Sequence, residues 1–166
     1  MLRLASHPVS RVTPVMALVT CLTLGLSLTG CASDVPMEPA EGANDPACAE
    51  VIVRLPQTIG GLEKRSTNAQ STGAWGDPVG IQLVCGTPLT APTTDECVSV
   101  NGVDWTIDNS QAPLYRFDAY GRSPGLAVFV NSELASGTEA VHALESVTQI
   151  LPQTRKCTSV SDSLNL

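Results

Sequence analysis

From Val79 onward the chain alternates between apolar and other positions. Val79, Ile81, Leu83 and Cys85 occupy every second place, separated by Gly80, Gln82 and Val84. A half-buried strand has this period, because successive side chains point to opposite faces of a sheet. Val98 and Val100 form a second set, closed by Asn101-Gly102. That dipeptide predicts a tight hairpin, since both residues accept the positive φ that the turn demands. Val103, Trp105 and Ile107 make the returning strand, and Tyr115, Phe117 and Ala119 a further one. Gly121-Arg122-Ser123-Pro124-Gly125 turns the chain into Leu126, Val128 and Val130.

Helical spacing flanks this region. Cys48, Val51, Ile52 and Leu55 fall at i, i+3, i+4 and i+7, one face of a helix. Asp45 is suited to cap its free N–H groups and Pro46 to its first position, and Pro56 stops it. The β-branched run Val51-Ile52-Val53 favours a strand, but the cap and the spacing favour the helix. Behind the strands, Ala140, Val141, Leu144, Val147 and Leu151 form a second apolar stripe. Ser136 and Glu139 precede it at capping-box spacing, and Pro152 ends it. These elements predict an α+β fold: an antiparallel sheet of four to five strands with two helices packed on one face. No internal repeat is visible.

The front of the chain follows a different rule. Arg3 and Arg11 give a positive start, no acid occurs before Asp34, and Val15 to Leu28 is apolar. The run then closes on Leu28-Thr29-Gly30-Cys31. A charged start, an apolar middle and small residues at the end are the parts of an export signal. A cysteine directly after them is the lipobox pattern of a bacterial lipoprotein precursor. Residues 1–30 are therefore expected to be a signal peptide, and Cys31 the lipidated first residue of the mature protein. The apolar run is shorter than the ~20 residues of a spanning helix. Two acyl chains on Cys31 would hold the protein on the extracytoplasmic face of the cell membrane, each buried methylene contributing about 0.8 kcal/mol. Arg3 and Arg11 are not adjacent, so no twin-arginine route is indicated. Residues 31–45, with Pro36, Pro39, Glu38 and Glu41 and little to bury, are expected to be a flexible tether. Such a coil of about 15 residues would lift the domain by roughly 20 Å. Residues 46–160 then form a single domain and 161–166 a disordered tail.

Charge and cysteines refine this picture. Removal of the signal takes Arg3 and Arg11, leaving seven basic residues against all sixteen acids and a formal net charge of −9. Such a surface repels nucleic acid and anionic head groups. Four cysteines accompany Cys31 in the mature chain: Cys48, Cys85, Cys97 and Cys157. In an exported chain an even number implies disulfides. Of three possible pairings, Cys85–Cys97 with Cys48–Cys157 is the expected one; the first closes a short Pro/Thr-rich excursion and the second ties the ends of the domain together. In the chain-entropy picture these loops are worth about 3 and nearly 5 kcal/mol. A metal site would need close ligand pairs such as C-x-x-C, and the sequence has none.

Catalytic signals are sparse. Gly121-Arg122-Ser123-Pro124-Gly125 matches G-x-S-x-G in letters only. A nucleophile elbow uses the backbone N–H of the residue after the serine and a following helix, whereas Pro124 has no N–H and a strand follows. His142, the one histidine of the mature chain, shares a polar helix face with Glu139, Glu145 and Gln149. Asp104 and Asp118 could serve as paired carboxylates of a small cell-envelope hydrolase. No cofactor or phosphate-binding loop is indicated. The best binding candidates are Trp75, Asp77, Asp104, Trp105 and Arg122, all in or beside predicted turns, since tryptophan and arginine are favoured anchors of binding surfaces. Core tryptophans with Arg122 bridging an acid are the competing explanation.

Several segments occur in a familiar order: Cys48 to Leu55-Pro56, Ala74-Trp75-Gly76-Asp77-Pro78, Leu83-Val84-Cys85-Gly86, Val100-Asn101-Gly102-Val103-Asp104-Trp105 and Gly121-Arg122-Ser123-Pro124. With these the chain resembles the actinobacterial envelope proteins catalogued as domain of unknown function 3515, over roughly Cys48 to Pro152. The resemblance implies export or lipid anchoring and an actinobacterial source; it assigns no catalytic residue. The expected function is a non-enzymatic lipoprotein that binds an envelope protein or glycan, with the carboxylate hydrolase as the alternative.

Overall fold

A computed structural model describes residues 33–91 and 95–157. The expected signal peptide, Cys31 and the tail at 161–166 lie outside the described residues. Among these residues eight strands make up one antiparallel sheet: β1 (Thr58–Ile59), β2 (Leu62–Arg65), β3 (Thr72–Trp75), β4 (Ile81–Thr87), β5 (Cys97–Val100), β6 (Val103–Gln111), β7 (Leu114–Ala119) and β8 (Gly125–Asn131). Their spatial order is β1-β2-β3-β4-β8-β7-β6-β5. Among the described residues three short helices accompany them: α1 (Pro46–Ile52), α2 (Gly137–Ala143) and α3 (Glu145–Thr148).

The expectation of four to five strands is thus corrected to eight. The five alternating sets of the sequence became β4 to β8. The three extra strands are β1, β2 and β3. β1 has two residues, β2 reads Leu-Glu-Lys-Arg, and β3 reads Thr-Gly-Ala-Trp. None alternates in polarity; each is recruited by pairing with its neighbour, as in Trp75↔Ile81 and Lys64↔Trp75. The expected second helix is broken at Leu144 into α2 and α3.

Local chemistry elsewhere follows the residues. Asp45 accepts from the Ala47 N–H at 2.8 Å, and Ser136 from the Glu139 N–H at 3.3 Å, so both helix starts are capped by side chains. Asn101 and Gly102 both have positive φ, +49° and +82°, and close the β5–β6 hairpin, with Val100↔Val103 as its last pair. The pleat sends Ile81, Leu83 and Cys85 of β4 to one face, with Val103 and Trp105 of β6 and Leu126, Val128 and Val130 of β8. The helices cover that face with Cys48, Val51, Ala140, Val141 and Val147, joined by Leu144 between α2 and α3 and Leu151 after α3, and together these form the core.

The disulfides are Cys48–Cys85 and Cys97–Cys157, which corrects the expected pairing. Short sequence separation was misleading. β8, β7 and β6 lie between β4, which carries Cys85, and β5, which carries Cys97. The pleat separates the two cysteines as well. Cys85 shares the core face, whereas Cys97 pairs with Thr106, on the face opposite Trp105. Cys85 therefore meets Cys48 of α1, and Cys97 meets the end of the chain that crosses the other face.

Residues 33–45 are also corrected: they do not form a free tether. Val35 and Ala43 are buried. Val35 makes a parallel bridge with Thr67, donating to the Ser66 carbonyl at 2.8 Å and accepting from the Asn68 N–H at 3.2 Å. The Met37 N–H donates to Asn68 Oδ1 at 2.8 Å, and the Ser71 hydroxyl to the Ala43 carbonyl at 2.6 Å. Farther along, the Gly42 N–H donates to the Gly86 carbonyl at 3.0 Å. A Cβ on either glycine would strike the backbone of the other, so the close approach needs both. The segment is sparse in apolar residues, but several of its backbone groups are paired with the domain and two of its apolar residues, Val35 and Ala43, are buried.

Candidate functional site

The sequence-derived binding candidates separate into core and surface. Trp75 and Trp105 are both 0% exposed, and Asp104 and Arg122 only 6%. Trp75 Nε1 donates to the Pro56 carbonyl at 3.0 Å; Trp105 Nε1 is buried without a hydrogen-bond partner among the described residues. Three strands lie between β3, which holds Trp75, and β6, which holds Trp105. Asp77 alone is exposed, with one carboxylate oxygen 3.3 Å from Arg65 Nη1. These five residues do not meet on one open surface.

Arg122 and Asp104 hold chain segments together. Arg122 Nη1 donates to the Leu151 carbonyl at 2.9 Å and Nη2 to the Gly102 carbonyl at 3.1 Å. The guanidinium thus joins the β5–β6 turn to the segment that follows α3. Burial lowers its pKa from the ordinary arginine value, and the charge of Asp104 acts in the opposite direction. Asp104 Oδ2 accepts from the Cys157 N–H at 2.9 Å, beside the second disulfide. Asp118 accepts from Arg116 Nη2 at 2.8 Å. The two carboxylates of the hydrolase alternative are therefore each engaged by a donor of the fold. His142 is exposed on α2. Among the described residues no cluster of three or more His, Cys, Asp or Glu is placed to hold a metal ion.

A different feature offers room for a ligand. A cavity of about 360 Å³ opens between α2 and the core face of β5 to β8. Val98 and Val100 of β5, Ile107 of β6, Phe117 of β7 and Val130 of β8 form its floor, and Val141 of α2 its wall. Ile107 is half-buried and residues 108–111 of β6 are exposed, so the cavity lies where the β6–β7 hairpin leaves the core beside the seven-residue α2. Gly137 sets how closely the helix begins. A Cβ there would stand 2.5 Å from the ring of Phe117, so only glycine lets α2 start against that ring. Polar groups border the cavity: Glu96, Asn109, Tyr115, Ser132 and Thr138.

The volume lies within the range of small-molecule sites, roughly 300–1,000 Å³, which are mostly apolar with a few polar groups. Among the described residues no lysine, arginine or histidine lines the cavity, and Glu96 is the one carboxylate. The lining therefore favours a neutral or positively charged partner with an apolar part, and disfavours an anion. Sequence reading missed this groove because its floor has the same alternating pattern as core. The signal available was Gly137 at the start of a helix, opposite the long β6–β7 hairpin.

Residues 11–156 match the family described as Protein of unknown function (DUF3515). No curated protein and no solved structure matches the chain.

Proposed function

We propose, for a chain that belongs to the DUF3515 family of proteins of unknown function, that it is a lipid-anchored extracytoplasmic binding module of the cell envelope without catalytic activity. The observation that carries the reading is the pair of disulfides, Cys48–Cys85 and Cys97–Cys157. Such bonds persist outside the reducing cytosol, which agrees with an export signal over residues 1–30. Among the described residues no helix is long and apolar enough to cross a membrane, and Leu28-Thr29-Gly30-Cys31 supplies another means of attachment. Binding falls to the groove beneath α2 rather than to the tryptophans and Arg122, which are buried. Its partner is an envelope protein or glycan carrying an apolar group.

The anchor is tested in cells. Metabolic labelling with an alkyne palmitate analogue is expected to mark the wild-type protein in the membrane fraction. Cys31→Ser is expected to lose the label and the signal-peptide cut together. A Cys31→Ser protein that is unlabelled, uncut and particulate just as wild type is would remove the reading.

A further inference from the structure

We infer that the domain rests directly on the lipid surface at its β2–β3 loop, with almost no slack between anchor and fold. This inference rests on the lipid anchor at Cys31 proposed above. Its independent support is the docked segment that begins at Ser33. Arg65 Nη2 donates to the Ser33 carbonyl at 3.2 Å, and the Ser66 hydroxyl to Asp34 Oδ1 at 2.5 Å. Val35 is then buried and bridged to Thr67. Only Ala32, Ser33 and Asp34 separate Cys31 from Val35.

Chain length fixes the consequence. Four steps of at most ~3.6 Å span about 14 Å from Cys31 to Val35. The polar zone of one leaflet is itself roughly 5–8 Å thick, half the difference between the full bilayer and its hydrocarbon core. Val35 is therefore held within about 10 Å of the head-group surface. The loop from Ser66 to Asn68 and the cations Lys64 and Arg65, both half-buried on β2, are held there with it. The attachment is covalent and short, so it does not depend on head-group charge, even for a chain whose formal net charge from Cys31 onward is −9. The groove begins at β8, two strand spacings from β3, about 10 Å at 4.8 Å each, and runs from there to β5, away from the anchored loop, which leaves it free for its partner.

Neutron reflectometry on the membrane-extracted, lipidated protein in a supported phosphatidylcholine bilayer tests this. The wild-type layer is expected to abut the head groups with no resolvable water gap, and equally so when anionic lipid is added. A 15-residue Gly/Ser insertion between Ala32 and Ser33, upstream of every contact described, is expected to open a gap of roughly 20 Å. A wild-type gap as wide as that of the insertion variant would overturn the inference while leaving the anchor intact. A wild-type protein that washes off the bilayer would instead overturn the anchor itself, and this inference with it.

Discussion

Replacing Cys48 and Cys85 together by alanine is expected to destabilise the domain by about 4 kcal/mol. The bond joins residues 37 apart in sequence, and opening such a loop restores that much chain entropy to the unfolded state in the loop-closure picture. The native state suffers as well. Both cysteines are 0% exposed, so their removal leaves space between α1 and β4. Domains of this size are stable by only about 5–15 kcal/mol, and the double variant is expected to be largely unfolded or degraded at growth temperature. Cys97→Ala with Cys157→Ala opens a longer loop, of 60 residues. Both of its cysteines, however, are half-buried, one on β5 and one near the end of the described residues, rather than in the core, so the native structure loses less packing. Urea unfolding of the two double variants checks the order: the Cys48/Cys85 variant is expected to have the lower midpoint. The reverse order would mean that the core beneath α1 closes without its disulfide.

Trp75→Ala is expected to cost about 3–5 kcal/mol, as for other large-to-small changes in a packed core. The indole lies against Gly73, with Leu55 beside that glycine, and its N–H satisfies the Pro56 carbonyl. Alanine removes the ring and leaves that carbonyl unpaired. Trp75→Phe keeps most of the volume and is expected to lose roughly half as much or less, chiefly through the lost hydrogen bond. A tryptophan serving as a surface anchor behaves otherwise: its alanine variant retains wild-type stability. The equilibrium unfolding midpoint therefore separates the two roles that the sequence left open for Trp75.

Local signals and long-range ones differed sharply in how well they could be read. Asp45 and Ser136 cap helices because capping is settled within one turn of chain, and Asn101-Gly102 makes its hairpin for the same reason. The alternation of Ile81, Leu83 and Cys85 marks a strand whichever strand lies beside it. β2 was illegible because Leu62-Glu63-Lys64-Arg65 has no apolar face; the strand exists through its partners. Cysteine pairing was likewise decided by strand order, which placed Cys97 at the far edge of the sheet from β4. Residues 33–45 resemble a linker in composition, and burial of Val35 and Ala43 could not be foreseen without the loop that receives them. Trp75 and Arg122 were binding candidates because tryptophan and arginine are favoured anchors and both lie near turns, and both proved to be interior. The groove stayed hidden because Ile107 and Phe117 look like any core residues until the helix above them stops short.

The most direct test is the intact, unreduced mass of the protein extracted from membranes. The expected mass is that of a chain beginning at Cys31, bearing a diacylglyceryl group, and lighter than its reduced form by two hydrogens for each of the two disulfides. A mass that retains residues 1–30, lacks lipid, or does not change on reduction of the four cysteines would contradict a doubly bridged domain held on the membrane through Cys31.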